Sequence, residues 1–231
     1  MSDYARPEML AETDWLAQHL DDPDLRIVDC DELPAYQRAH IPGAIGIPVH
    51  HYLKDAADST HVMPGEQLET LLGQMGIGNE TPVVAYDGSG GVVAARFWWT
   101  LDRYGKPDVR VLNGGFTKWL AEGRPVSNRV PQLQQATFRA TGQDAGICDL
   151  PYLLANRGRA DLMVWDVRSR GEYTGQTPRQ NKRGGHIPGA IHLEWTNLIE
   201  GDESRAWKPA DELLQLLAQN GITPEKEVLV H

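Results

Sequence analysis

Three groups of residues in this sequence stand where they can do chemistry. The first is the glycine-rich stretch Asp87-Gly88-Ser89-Gly90-Gly91, directly behind the apolar run Val83-Val84-Ala85-Tyr86 and ahead of the long apolar segment that starts at Val92. Glycines in such a loop expose successive backbone N–H groups, and a helix starting at Val92 adds the positive end of its dipole, so the place suits an anion. The stretch fits neither the dinucleotide fingerprint nor the P-loop lysine pattern. Its first residue, Asp87, brings a carboxylate that opposes a second negative charge, and a tight structural turn is the plainer reading. The second group is His40, His186 and His231, side chains that titrate near neutrality. The third is the pair of cysteines, Cys30 and Cys148. Neither opens a glycine loop, and both read as small buried thiols. Two are too few for a disulfide framework or a zinc cluster.

The elements that position these residues occur twice. His40-Ile41-Pro42-Gly43-Ala44-Ile45 recurs intact as His186-Ile187-Pro188-Gly189-Ala190-Ile191. Ile27-Val28-Asp29 matches Val164-Trp165-Asp166, and Glu66 through Gly76-Ile77 matches Glu212 through Gly221-Ile222. The second copy carries nine extra residues between its Asp and its His (166 to 186, against 29 to 40). A repeat of this length means two domains of one fold, not a solenoid of short units. Duplication also bears on the histidines: His40 and His186, present in both copies, read as structural, each bonding a turn ahead of its proline. From Gly221-Ile222 the match runs on without gaps, so Val83-Val84-Ala85-Tyr86 falls on Val228-Leu229-Val230-His231. The counterpart of Asp87 would be the next residue. Alternation along the strand points His231 away from that position and implies packing.

Each copy alternates strand and helix. Residues 25–29, 81–86 and 109–112 are short apolar runs of buried-strand type. Residues 66–75, 92–104 and 116–122 carry helical spacing, with Gly105 and Gly123 as stops. The pattern predicts an α/β fold, a central, mostly parallel sheet flanked by helices in each domain. Residues 1–125 form the expected first domain, 126–145 a Pro-, Gln- and Ser-containing linker, and 146–231 a second domain that is expected to be incomplete in this sequence.

The Asp-terminated strands (Asp29; Asp166-Val167-Arg168), the repeated His-Ile-Pro-Gly-Ala, Asn113-Gly114-Gly115-Phe116 followed by Trp119, and the tandem arrangement together resemble the two-domain rhodanese family, the thiosulfate and 3-mercaptopyruvate sulfurtransferases, and the bacterial thiosulfate enzymes in particular. The resemblance implies a catalytically silent first domain, with Asp87 at the silent position, and an active second domain whose nucleophilic cysteine directly follows His231. A thiolate held on backbone N–H groups at a helix N-terminus has a lowered pKa and takes up the outer sulfur of thiosulfate as a persulfide. Cyanide or a thiol acceptor then removes that sulfur. No cofactor or metal beyond the covalent persulfide is implied.

The same resemblance places Asp166, Arg168, Trp195 and His231 at the substrate-binding wall. Arg168 fits either a donor-binding guanidinium or a brace for the loop. Trp195 fits either a site wall or a core position. Glu172 stands where many members carry a substrate-binding arginine, which weakens the mercaptopyruvate reading. Lys182 and Arg183, inside the insertion, offer the missing cation unless they are only solvated loop residues. The alternatives are a 3-mercaptopyruvate sulfurtransferase, a non-catalytic rhodanese-like binding protein if the chain truly ends at His231, and a phosphatase of the same fold.

Bulk properties agree with a soluble α/β protein. The 231 residues include 22 Lys and Arg against 32 Asp and Glu, a net charge of −10, with a mean hydropathy of −0.44. The charge disfavours nucleic acid and anionic membranes as partners. No apolar run approaches membrane-spanning length, and residues 1–8 lack the pattern of an export signal. A cytoplasmic location is expected.

Overall fold

The computed structural model describes residues 4–58, 61–141, 146–179, 181–201 and 203–231. The last four residues of the expected linker, 142–145, and Gln180 of the insertion therefore lie outside the described residues. The chain divides into two compact units, one of Ala5–Ala145 with Gly201–Ala206, the other chiefly of Gly146–Glu200 and Trp207–His231.

The first unit runs β1 (Leu10–Ala11), α1 (Thr13–Gln18), β2 (Arg26–Asp29), α2 (Leu33–Arg38), β3 (Ile45–Gly46), α3 (Gly65–Gln74), β4 (Val83–Tyr86), α4 (Val92–Arg103), β5 (Val109–Leu112) and α5 (Gly115–Ala121). Its five strands are parallel, in the order β1-β5-β4-β2-β3. Both faces of the sheet are buried, and alternate residues of each strand go to opposite layers. Val28, Val83, Ala85 and Val111 pack with Leu68, Leu72, Phe97 and Leu101 on one face. Ile27, Val84, Tyr86 and Leu112 pack with Leu16, Ile41 and Trp119 on the other. Short continuous apolar runs on strands buried on both faces and period 3.6 on helices are why the expected elements appear within a residue or two of their expected bounds. The short pieces β1, α1, α2 and β3 have too few residues for either pattern to show.

Residues 127–141 run along this unit instead of hanging free. Ser127 bridges His40, Ala136 N–H donates to Gly73 O, and Phe138 is buried in the core.

The second unit runs α6 (Leu150–Asn156), β6 (Leu162–Asp166), α7 (Arg170–Thr174), β7 (Ile191–His192), α8 (Ala210–Gln219) and β8 (Glu227–Val230), with a 3₁₀ turn at Trp195–Leu198. Its three strands are parallel, in the order β7-β6-β8. The registers reproduce the first unit residue for residue. Asp29 lies opposite Gly46 and Tyr86, while Asp166 lies opposite His192, and Met163 opposite Val228 answers Arg26 opposite Val83. Among the described residues no helix is long and apolar enough to cross a membrane.

One glycine fixes how α5 meets the end of β4. Gly115 has φ +54°, and a Cβ there would lie 2.2 Å from the carbonyl oxygen of Asp87, the same oxygen that accepts the Phe116 N–H at 2.8 Å. A Gly115→Ala variant is expected to lose at least about 3 kcal/mol of unfolding free energy in urea, from left-handed strain and backbone displacement together.

Candidate functional site

At the carboxyl end of β6 stands Asp166, whose side chain is fully buried. A buried carboxylate must find donors. Its Oδ1 accepts the backbone N–H of Arg168 at 3.0 Å and Arg168 Nε at 2.9 Å, and its Oδ2 accepts Arg168 Nη2 at 2.5 Å. The Nδ1 of His231 lies 3.6 Å from Oδ2. Burial drives the Asp166 pKa up, but the Arg168 guanidinium, the backbone N–H and His231 outweigh it, and the carboxyl sits below its ordinary range. Arg168 is thus committed to bracing Asp166 and also donates Nη2 to Gly185 O at 2.9 Å. The brace takes two nitrogens and leaves Nη1 without a hydrogen bond among the described residues.

Behind Arg168 is a clasp that the sequence did not announce. Tyr173 stacks on His186 at 3.8 Å and on His192 at 4.6 Å. His186 Nδ1 bonds Tyr173 O, Tyr173 OH donates to Ala190 O, and His192 Nε2 bonds Arg168 O at 2.8 Å. In the first unit His40 stacks on Tyr36 at 4.1 Å with the same two backbone bonds. The structural reading of both histidines therefore holds. The place of His192 is taken by Gly46, where a Cβ would meet the Tyr36 ring at 2.7 Å. That departure inside an otherwise matching repeat was the available signal for His192.

The remaining expected residues separate. His231 does not pack: its side chain is 45% exposed and turned toward Asp166. The side chain meets Asp166 across the strand pair, with Nδ1 3.6 Å from Oδ2. Trp195 is half-buried at the start of the 3₁₀ turn, its N–H on Val167 O. It is not among the residues lining the recess that Arg168 and His231 share. Ser169 caps α7 and Glu172 supports the cap: the Ser169 hydroxyl accepts the Glu172 N–H and donates to Glu172 Oε2 at 2.7 Å, and Arg179 Nε lies 3.0 Å from Oε1. This capping role explains an acid at that position. Cys30 is buried, as expected, whereas Cys148 is exposed, because it precedes α6 in a loop with no layer above it.

The first unit shows the same site with different occupants. Tyr86 OH donates to Asp29 Oδ2 at 2.7 Å and accepts the Ile41 N–H at 3.0 Å. Asp31 replaces Arg168 and accepts the Gly88 N–H. Burial, helped by the neighbouring Asp31 carboxylate, pushes the Asp29 pKa up to about 6, against the opposing bonds from Tyr86 and Asp31 N–H. Asp87 itself fills the loop. Its Oδ1 accepts the N–H groups of Ser89 and Gly91 at 2.7 and 2.9 Å, and its Oδ2 those of Val93 and Ala94 at 2.7 and 2.8 Å. The side chain is fully buried. The carboxylate thus does not stand at the mouth of an anion seat; it is the anion in the seat.

Residues 12–122 and 149–231 both match the Rhodanese-like domain family. The chain is 39% identical over 232 residues to the thiosulfate sulfurtransferase of Azotobacter vinelandii, covering 100% of this chain and 84% of that protein. It is 34% identical to the thiosulfate sulfurtransferase of Pseudomonas aeruginosa at the same coverage. Among solved structures, the 3-mercaptopyruvate sulfotransferase SseA of Escherichia coli superposes with a TM-score of 0.83 at 25% identity, over 96% of this chain and 87% of that one. The chain belongs to the rhodanese-like domain family. Within that family it is a sulfurtransferase, a transferase enzyme.

Two outcomes follow. Asp87→Ala strips four buried N–H groups of their acceptor and is expected to cost about 3–5 kcal/mol; added sulfate should recover part of the lost melting temperature, and a variant indifferent to sulfate would show that the ring is no anion seat. The raised pKa of Asp29 is a stabilising contribution present below the ordinary carboxylate pKa and lost as pH climbs through about 6. Asp29→Asn should therefore gain about 3 kcal/mol relative to the parent between pH 4 and 7, read from urea midpoints at each pH.

Proposed function

We propose that the protein transfers sulfane sulfur from thiosulfate to cyanide or a thiol acceptor, with a nucleophilic cysteine directly after His231. One observation carries the reading. β8 meets β6 in the register in which β4 meets β2, so the residue after His231 corresponds to Asp87, the residue whose side chain occupies a ring of four N–H donors. A cysteine in a ring of that kind is held as the thiolate. The thiolate attacks the outer sulfur of thiosulfate, the S–S bond breaks, and sulfite leaves with the bonding pair. Cyanide then attacks the outer sulfur of the persulfide, thiocyanate departs, and the thiolate returns. Arg168 and His231 line the seat and Asp166 braces Arg168; Trp195 is tied to the same strand end through its backbone N–H on Val167 O. The sulfur is carried on the cysteine, with no further cofactor. The unpaired Cys30 and Cys148 accord with a reducing, cytoplasmic setting.

The domain assignment proposed with it is a silent 1–125, a connecting 126–145 and a catalytic segment from 146. A second reading, 3-mercaptopyruvate as donor, is favoured by the likeness to the Escherichia coli enzyme. Glu172 argues against it, since a carboxylate supports the α7 cap where a carboxylate substrate would need a cation.

The coding sequence past His231 should read Cys. The full-length protein should form thiocyanate from thiosulfate and cyanide faster than from 3-mercaptopyruvate, and thiosulfate alone should add the mass of one sulfur atom to it. Any other residue at that position, or silence with both donors, would overturn the catalytic reading.

A further inference from the structure

The nine extra residues of the second copy fall between Tyr173 and His186, inside the clasp. They are anchored at both ends. A Cβ on Gly175 would meet Gly185 N at 2.9 Å and one on Gly184 would meet Gly175 O at 2.8 Å, so the two ends of the insertion touch backbone to backbone. Thr177 N–H donates to Gly171 O, Arg179 pairs with Glu172, and Gly185 O takes the Arg168 bond. What these anchors hold in place is charge. Arg168, Lys182, Arg183, His186 and His231 line one open recess, and no carboxylate is among its lining residues. Lys182 and Arg183 have no ion-pair partner among the described residues, in contrast to Arg179 in the same insertion. The first copy, with four residues from Tyr36 to His40 and Asp31 in the place of Arg168, has no equivalent.

A protein of net charge −10 repels a dianion at long range. A local concentration of unpaired cations beside the reacting position reverses that where it matters. Two adjacent cations also favour a ligand with two negative charges over one with a single carboxylate. We propose that the insertion is the element that selects the sulfur donor, with Lys182 and Arg183 binding the charged end of a dianionic sulfonate-type donor beside Arg168 more tightly than a single carboxylate. This inference rests on the sulfurtransferase reading for its substrate, but the anion site itself is measurable without turnover.

The experiment uses the full-length protein and inorganic sulfate as an unreactive dianion, titrated by calorimetry, alongside kinetics with both donors. Lys182→Gln/Arg183→Gln should weaken sulfate binding and raise the thiosulfate KM by about fivefold to tenfold, with a change under about twofold for 3-mercaptopyruvate. The difference between parent and variant should shrink as salt approaches about 0.5 M. Arg38→Gln/Arg157→Gln, which removes the same charge from two exposed positions at the ends of α2 and α6, should leave sulfate binding unchanged. Equal sulfate affinity in parent and Lys182/Arg183 variant would overturn the role of the insertion whatever the turnover. Absence of turnover with both donors, with sulfate binding still lost in the variant, would overturn the sulfurtransferase reading alone.

Discussion

A carboxylate buried at the end of a central parallel strand is the constraint on which the two units are organised. Asp29 and Asp166 sit in the same register, with almost no exposure, and neither can remain there without donors. Each answers with the backbone N–H two residues on and with a side chain reaching across. In the first unit that is a neutral tyrosine hydroxyl, and the carboxylate drifts toward its protonated form. In the second it is a guanidinium with a histidine beside it, and the carboxylate is held ionised. In the first unit the residue following the cross-strand partner Tyr86 is Asp87, which enters the ring of N–H groups at the start of α4.

Charge inversion at one position separates the copies. Asp31 against Arg168 changes the sign of the residue that overlooks the loop. Asp87 closes its own ring, so the first unit's seat is permanently taken. In the first unit the backbone device that stabilises an anion is filled by the chain's own carboxylate.

Most of this was legible in the residues. The period of the apolar positions gave the long helices, continuous apolar runs gave the central strands, and the repeated hexapeptide gave the duplication before any local element was assigned. The family followed from the combination of motifs. What was not legible depended on partners across strands. Arg168 left two uses open until its nitrogens were seen on Asp166, and His231 was read by alternation alone, without the aspartate facing it. Glu172 looked like a substitution at a substrate position because its bond to Ser169 is made within one turn of a short helix. Cys148 was read by composition, which says nothing of whether a layer covers it.

The tyrosine–histidine clasp has a consequence for how the family can vary. In one copy it is closed by four residues of chain, in the other by thirteen, and the rings, the two backbone bonds and the strand that follows are the same. Closing a longer loop costs little, about 0.6 kcal/mol per doubling of length. Stacked rings thus act as a rivet that makes the architecture indifferent to what is spliced behind it. New surface can be added beside the reacting position without renegotiating the core, and the length of this one segment becomes a place where related proteins can diverge in what they accept while remaining the same fold.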